Sequence, residues 1–156
     1  MKVNYKIILC ICVISIFFSC SINEKTYLCD LKQSILELDS LRQYIELHHN
    51  AEIKDTLNKG IIFVNSRNQK QKYKSYIYDD EVMFRMKRLK IKEIHFEGKD
   101  GKTYNEIYFD KEKPFYYPVV SYLYEYDGTT KDFESKTIYY KPVNKHWSLY
   151  IDSNFP

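Results

Sequence analysis

The spacing of the apolar residues changes once along this chain, near Gly60, and that change limits the folds open to it. Before Gly60, apolar residues recur every three or four positions, which is the period of one face of an α-helix. They are Leu28, Leu31, Ile35, Leu38, Leu41 and Ile45. After Gly60, short apolar runs follow a period of two, which is typical of strands that bury one face. Helix first and sheet afterwards predict an α+β domain.

The helical segment is predicted over residues 26–59. Thr26 is the expected N-cap, Asn50 is expected to cap a second short helix, and Gly60 is expected to end that helix. Cys29 is expected on the apolar stripe as a small buried hydrophobe. The charged residues of the segment are expected largely on the opposite face: Lys32, Glu37, Asp39, Arg42 and Glu46.

The rest of the chain predicts antiparallel strands joined by short turns. The strands are expected at residues 61–64, 73–78, 91–97, 103–110, 119–126, 133–140 and 146–152. Residues 82–90 fit both periods, and a short helix is favoured because Val82, Met86 and Leu89 align on one helix face. The predicted architecture is one N-terminal amphipathic helix, or two, packed on a twisted antiparallel β-sheet meander.

The first 19 residues have the pattern of an export signal. A basic start with Lys2 and Lys6 precedes an apolar run over residues 7–18, and no acid occurs before Glu24. A helix of this length rises about 18 Å, well short of the ~30 Å hydrocarbon core of a bilayer. The run therefore predicts a removable signal peptide rather than a lasting membrane span.

The apolar run ends in Phe17-Phe18-Ser19-Cys20, which resembles the lipobox of bacterial lipoproteins. In that family the leader is cut just before the cysteine, the cysteine thiol is diacylated, and the new N-terminus is acylated. The family usually has Leu and a small residue where this chain has Phe17 and Phe18. The resemblance covers only the leader and Cys20, and it implies that Cys20 is the lipidated residue.

This resemblance implies a division of the chain into three segments and a location in the cell envelope. Residues 1–19 become the lipoprotein signal peptide, residues 20–25 a lipidated tether, and residues 26–156 a single folded domain. In the family, Ser21 rather than an acid after the cysteine favours the outer membrane, with the domain facing the periplasm. The alternative is an ordinary secretory cut after Ser21, which releases a soluble periplasmic protein.

Charge and cysteine usage narrow the function classes. The chain carries 24 Lys+Arg and 21 Asp+Glu, and the leader takes two lysines with it, so the mature protein is almost neutral. This balance argues against nucleic-acid binding. The basic stretch over residues 85–92 is expected to be solvated, and the alternative contacts are lipid headgroups, lipopolysaccharide phosphates or an acidic partner. Because Cys10 and Cys12 leave with the leader and Cys20 carries lipid, only Cys29 remains and no internal disulfide is expected.

Tyrosine is unusually abundant, with 16 residues, many of them in the last strands. In an alternating strand, Tyr122, Tyr124 and Tyr126 share one face. Two orientations stay open. The rings pack inward with their hydroxyls reaching partners at the rim, or they point outward as a recognition surface. With Tyr139 and Trp147, these tyrosines are the candidate binding residues.

Patterns for metal binding and catalysis are sparse. His48 and Glu52 lie four apart on one helix face, but a zinc site needs three or four converging ligands, so no metal site is predicted and no cofactor either. Glu93, His95 and Glu97 share a strand face that is expected to be solvated. None of the standard nucleophile, zinc-protease or phosphate-loop motifs occurs in the sequence.

Together these features predict a small non-enzymatic envelope lipoprotein, held on the membrane at Cys20, whose sheet binds a protein partner. Immunity proteins against secreted toxins have this general format. The related interpretation is an accessory module that binds another envelope protein. One alternative is a glycan or peptidoglycan binder that stacks sugars on tyrosines and Trp147. The other is a hydrolase that uses His146 or His95 with a nearby acid.

Overall fold

The computed structural model describes residues 23–55, 61–64, 75–98, 104–112, 118–129 and 132–153. In chain order the described elements are α1 (Glu24–Asp55), β1 (Ile61–Val64), β2 (Ser75–Ile77), α2 (Asp80–Arg88), β3 (Ile91–Glu97), β4 (Glu106–Lys111), β5 (Val119–Glu125), β6 (Phe133–Glu134), β7 (Ile138–Pro142) and β8 (Trp147–Asp152). Some predicted features lie outside the described residues: the leader over 1–19, Cys20, the first part of the tether, and the cap at Gly60.

The described strands form one sheet with the order β2-β1-β3-β4-β5-β8-β7-β6. Strands β3, β4 and β5 follow one another as antiparallel neighbours, and the chain then passes to the edge and returns, so that β8 pairs with β5. The predicted α+β class, with a helix on an antiparallel sheet, is confirmed. The parallel pairing of β1 with β2 and the position of β8 depart from a simple meander.

The predicted apolar stripe of α1 is the side that packs on the sheet. Its fully buried members are Leu31, Leu38, Leu41 and Ile45, and its partly buried members are Leu28 and Ile35. The sheet contributes alternate residues of its central strands to the same core: Ile94, Phe96, Ile107, Phe109, Val120, Leu149 and Ile151. Because successive strand residues point to opposite faces, this packing fixes which side chains point away from α1.

The ends of α1 differ slightly from the prediction. The side-chain oxygen of Asn23 accepts a hydrogen bond from the Thr26 backbone N–H at 3.2 Å, so Asn23 rather than Thr26 caps the helix. His49 has non-helical angles, with φ −126° and ψ 15°, which puts a kink one residue before the predicted second helix start at Asn50. Among the described residues, no helix combines the length and apolar character that crossing a bilayer requires.

Cys29 is exposed, so the prediction that it is a buried hydrophobe is wrong. It lies nine positions before Leu38, which is about two and a half helical turns at 3.6 residues per turn. That spacing places it on the side of α1 opposite the buried leucines. Its thiol accepts only a long contact from the Gln33 side chain, at 3.5 Å.

Residues 82–90, the ambiguous stretch, belong mainly to a helix, as predicted. The carboxylate of Asp79 accepts a hydrogen bond from the Val82 N–H at 2.9 Å and so caps α2. Val82 and Met86 are buried in the same core as the α1 leucines. Both described helices therefore lie on the same side of the sheet.

The predicted single strand over residues 133–140 is wrong, because the chain turns inside it and forms the β6–β7 pair. The hydroxyl of Ser135 accepts hydrogen bonds from the backbone N–H groups of Thr137 and Ile138, at 3.2 and 2.9 Å. Such a side chain offers the backbone an alternative to the strand ladder. The periodicity of the segment carries no sign of this turn, since Ser and Thr also occur within strands.

Candidate functional site

The aromatic residues that were predicted to bind a partner lie on the side of the sheet that α1 covers. Tyr122 and Trp147 are 0% and 1% exposed, and Tyr124 is 9% exposed. Tyr126 and Tyr139 are partly buried against the same core. Of the two orientations left open by the sequence, the inward one is present, so these five candidate binding residues do not form an exposed aromatic platform.

The polar groups of three of these aromatic side chains donate hydrogen bonds to carboxylates on α1. The Tyr122 hydroxyl donates to Asp30, the Tyr126 hydroxyl donates to Glu46, and the indole N–H of Trp147 donates to Asp39 at 3.2 Å. Buried tyrosine and tryptophan need such partners because an unpaired polar atom in a core costs stability. The rim carboxylates of α1 therefore belong to the packing of the sheet rather than to a solvated face.

Arg42 completes this boundary between α1 and the sheet. Its guanidinium lies over the Tyr124 ring at 4.4 Å and bridges Glu46 at 2.7 Å and Asp39 at 3.5 Å. The prediction that the charged residues of α1 lie on the helix face away from the core is wrong for Asp39, Arg42 and Glu46, because each contacts an aromatic ring at the edge of the core. Long charged side chains often cover apolar surface in this way while their heads stay hydrated.

Beside Tyr122, Asp30 and Lys111 form an ion pair that links α1 to β4. Lys111 Nζ, which is buried, donates to Asp30 at 2.9 Å and to the Leu89 carbonyl at 2.6 Å. Burial alone would raise the pKa of Asp30, but the hydrogen bonds from Tyr122 and Lys111 hold that pKa below its ordinary value. The same burial and the Asp30 carboxylate raise the pKa of Tyr122, so this hydroxyl remains a donor.

The opposite side of the sheet, which we call the far face, carries no described helix. It comprises the side chains of β3, β4, β5, β7 and β8 that alternate with the core residues. Its polar and aromatic members are Glu93, His95, Glu97, Glu106, Tyr108, Asp110, Ser121, Glu125, Tyr140, Ser148, Tyr150 and Asp152. The prediction of a solvated Glu93–His95–Glu97 face is only partly right, because Glu93 is buried and His95 is half-buried.

Strand register arranges the far face in rows. Glu97, Glu106 and Glu125 are direct cross-strand partners on β3, β4 and β5. Four residues further along the strands, Glu93 lies opposite Asp110. Between these two rows His95 lies opposite Tyr108, whereas Tyr150 lies in the same cross-strand row as Asp110. Like charges directly opposite one another in a sheet are destabilising, so this pattern costs the folded domain some stability.

The rings of His95, Tyr108 and Tyr150 form a cluster whose mutual contacts hold it in one arrangement. The His95 ring stacks on Tyr108, with centroids 4.8 Å apart and planes 5° apart, and Tyr150 meets Tyr108 edge-on at 5.9 Å. The ring nitrogens of His95 lie 3.5 Å from Asp110 on one side and 3.5 Å from Glu97 on the other. These contacts hold the three rings in place, and several other members of the far face are buried: Ser121, Glu125, Tyr140 and Ser148.

Hydrogen bonds within the far face fix its side chains further. The Tyr108 hydroxyl donates to Glu106 at 2.9 Å, and the Ser121 hydroxyl donates to Asp110 at 2.6 Å. Burial raises the pKa of Asp110, although the nearby His95 and the Ser121 hydroxyl oppose this rise. Burial and the Glu106 carboxylate likewise raise the pKa of Tyr108, so its hydroxyl is a permanent donor.

The remaining histidines make structural contacts. His49, rather than the predicted His48, approaches Glu52, at 3.7 Å, and its other ring nitrogen lies 3.0 Å from Asp79. His146 Nδ1 lies 2.8 Å from the Glu125 carbonyl oxygen. Within the described part of the chain, no group of three or more side chains is placed to hold a metal ion.

A groove of about 960 Å³ lies between the start of α1 and the turn that joins α2 to β3. Its lining includes Lys25, Cys29, Asp30, Lys90 and Lys111. The basic stretch over residues 85–92 borders this groove, yet several of its charges are paired. The pairs are Arg85 with Glu81 at 2.6 Å, Arg88 with Glu37 at 3.2 Å, and Lys92 with Glu93 at 3.3 Å.

Sequence reasoning missed Glu106, Tyr108, Asp110 and Tyr150 as surface residues of interest. The signal available was the alternation Glu-Ile-Tyr-Phe-Asp over residues 106–110, in which the apolar residues mark the core face. Which acids lie opposite one another depends on the register of three strands, and that register is not local information. Comparison of the chain with protein-family models, with curated proteins and with solved structures finds no match.

Proposed function

We propose that this chain is a non-enzymatic envelope lipoprotein, anchored through Cys20, whose domain binds a protein partner through the far face of its sheet. The observation that carries the proposal is the cluster of the His95, Tyr108 and Tyr150 rings, with carboxylates on the neighbouring positions of β3 and β4. Tyrosine-rich, pre-organised surfaces with polar borders are typical of protein interfaces.

The short tether between Cys20 and the domain is a further reason for the proposal. Two residues, Ser21 and Ile22, lie between Cys20 and Asn23, where the described chain begins. The chain from Cys20 to Asn23 can therefore span at most about 10 Å. A doubly or triply acylated cysteine holds a protein stably on a bilayer. The domain would then be confined next to the membrane, with α1 starting at its membrane-proximal end, which raises its local concentration for partners in the same envelope layer.

The two alternative functions have less support. Sugar stacking needs exposed aromatic faces, whereas Tyr122 and Trp147 are buried beneath α1. For a hydrolase, His95 has acids on both sides, but its ring is stacked on Tyr108. The His146 ring is stacked on Tyr124 and contacts a backbone carbonyl. These contacts favour positions in a packed surface over those of a general base.

The anchor is tested by expressing wild type and Cys20→Ala in a bacterium with lipoprotein processing, with radioactive palmitate in the medium. We expect wild type to incorporate label and to sediment with the envelope, and Cys20→Ala to do neither. Labelling that is equal in the two proteins, or absent from both, would contradict the anchor.

Partner binding is tested by affinity purification from detergent-solubilised envelope of the native host. We expect wild type to recover one stoichiometric protein, and the far-face variant Tyr108→Ala/Tyr150→Ala to lose it. The matched control is Leu36→Ala/Leu47→Ala, which alters two exposed leucines of α1 on the other side of the molecule. Recovery that survives the tyrosine changes, or that the leucine changes abolish, would contradict the far face as the binding surface.

A further inference from the structure

We propose that the groove between the start of α1 and the turn after α2 binds the phosphate of an anionic lipid headgroup, with Lys25 and Lys90 as its cationic contacts. This inference rests on the lipid anchor of the proposed function, because the anchor places the groove beside a bilayer. It adds a second contact with the membrane and does not involve the far face.

The acids that line the groove, Asp30, Glu37 and Glu112, already have interactions within the chain. Asp30 accepts a hydrogen bond from Lys111 at 2.9 Å, and Glu37 pairs with Arg88 at 3.2 Å. The negative charges of Asp30 and Glu37 are therefore compensated by neighbouring cations. The described lining as a whole holds more lysine and arginine than aspartate and glutamate.

Two lysines of the lining have no carboxylate partner. Among the described residues, no acid lies within ion-pair distance of Lys25 or Lys90, and both side chains are exposed. The hydroxyl-bearing side chains of Thr26 and Ser34 line the same groove. Phosphate oxygens accept hydrogen bonds from ammonium and hydroxyl groups, so these side chains suit a phosphate group.

Lys90 also has an unusual backbone conformation. It follows the C-cap of α2 with a φ of 55°, the one positive φ outside glycine among the described residues. Glycine is usual at this position after a helix, because a Cβ is crowded in the left-handed conformation. The chain thus keeps a cation at the groove where glycine would suit the backbone better, and such outliers cluster at binding sites.

The groove lies close to the proposed lipid anchor. Asn23 and Lys25, at the start of α1, belong to its lining. Because the chain from Cys20 to Asn23 spans at most about 10 Å, an acylated Cys20 holds this end of the groove next to the lipid headgroups. The volume of about 960 Å³ falls within the range of about 300–1,000 Å³ that is common for small-ligand sites.

The number of available lysines favours a single headgroup over a nucleic acid. Nucleic-acid binding depends on many cations along the phosphate backbone, whereas this groove offers two that lack an acid partner. Soluble phosphate has the same chemistry as a headgroup. The anchor, however, keeps lipid headgroups at a high local concentration beside the groove, so the lipid is the ligand that we assign.

The experiment uses Cys29, whose exposed thiol lies in the groove, as a reporter of occupancy. The mature lipoprotein is placed in phosphatidylcholine nanodiscs with or without phosphatidylglycerol, and alkylation of Cys29 by the neutral reagent N-ethylmaleimide is followed by mass spectrometry. We expect phosphatidylglycerol to slow alkylation by about fivefold, which corresponds to a groove occupied roughly four-fifths of the time. Millimolar inorganic phosphate, added to phosphatidylcholine discs, is expected to give no such protection.

Lys25→Gln/Lys90→Gln tests the two cations. One lysine at an anionic membrane surface is worth about fivefold in affinity, so this variant is expected to lose nearly all of the protection. The charge-matched control, Lys32→Gln/Lys145→Gln, removes two exposed lysines that do not line the groove, and it is expected to keep the protection. Protection is taken as the ratio of rates without and with phosphatidylglycerol for each variant, so that differences in thiol reactivity cancel.

Lys90→Gly separates binding from folding. Because glycine suits the left-handed backbone, the melting temperature of this variant is expected to equal or exceed that of wild type. Its protection by phosphatidylglycerol is expected to fall by about threefold, since one lysine is lost. A lower melting temperature together with unchanged protection would show that Lys90 serves the fold and not a ligand.

The inference is wrong if phosphatidylglycerol does not slow alkylation, if the control variant loses as much protection as the groove variant, or if inorganic phosphate protects as well as the lipid. Palmitate labelling of Cys20 separates this outcome from the proposed function. If the protein carries its lipid and Cys29 is not protected, the headgroup site is wrong and the proposed function stands. If wild type carries no lipid, both fall.

Discussion

At the scale of single residues, hydrogen bonds at the edges of the aromatic core fix the position of α1 on the sheet. Asp30, Asp39 and Glu46 each accept a hydrogen bond from a ring of β5, β8 or the turn after β5. The apolar stripe of α1 was predictable because its period is local. These acceptors were not, since their role depends on which sheet residue lies beneath them, and they look like ordinary solvated acids in the sequence.

Asp30→Asn is expected to lower the free energy of unfolding at pH 7 by about 1–2 kcal/mol, because the buried Lys111 loses its counter-ion. The pKa of Asp30 is lowered in the folded state, so its stabilisation is complete above the unfolded pKa of about 4. It is lost as the pH falls through the lower folded value. Urea unfolding at neutral and strongly acidic pH measures this.

The difference between wild type and Asp30→Asn should therefore shrink in strong acid. Glu37→Gln, which breaks the exposed pair with Arg88, is the control, and it is expected to cost less than about 0.5 kcal/mol. A difference for Asp30→Asn that stays constant from neutral to strongly acidic pH would show that its charge does not matter.

Glu106→Gln is expected to stabilise the isolated protein by roughly 0.5 kcal/mol, since it relieves repulsion with Glu97 and Glu125 across the strands. The Gln carbonyl keeps the hydrogen bond that Tyr108 donates to Glu106. Chemical denaturation of Glu106→Gln beside Glu24→Gln, which has no acid opposite it in a sheet, measures the effect. If Glu106→Gln instead lowers the free energy of unfolding, the opposed carboxylates do not destabilise the folded protein.

At the scale of elements, the helices and most strands follow from periodicity, while turns and strand order do not. The stripe of α1 and the short helix over most of residues 82–90 are local patterns, and the structure bears them out. The break between β6 and β7 depends on hydrogen bonds of the Ser135 side chain. The pairing of β8 with β5 is a long-range choice that brings the last strand into the middle of the sheet.

Two leucines separated by two positions on α1 test the packing of this helix. Leu38 is fully buried, whereas Leu36 is 83% exposed on the opposite side. Leu38→Ala is expected to cost about 2–5 kcal/mol, because it removes buried methyl groups and leaves a cavity. Leu36→Ala is expected to change stability by less than about 0.5 kcal/mol. Equal effects in thermal or chemical unfolding would contradict the orientation of α1.

At the scale of the whole molecule, the sheet separates two surfaces with different roles. One side carries both described helices and the core, and the other carries rows of carboxylates around aromatic rings. Composition could not predict the far face, because the chain as a whole is nearly balanced in charge. The asymmetry arises only when strand register places Glu97, Glu106 and Glu125 side by side, so the candidate surface is a property of the folded sheet.

Site-directed photo-crosslinking in the native envelope tests the role of the far face most directly. A benzophenone amino acid replaces Tyr150 on the far face in one protein and the exposed Leu36 on α1 in another, and both are irradiated in intact cells. We expect a single light-dependent adduct of defined mass from position 150 and none from position 36. An adduct from position 36 alone, or from neither position, would contradict a partner-binding far face.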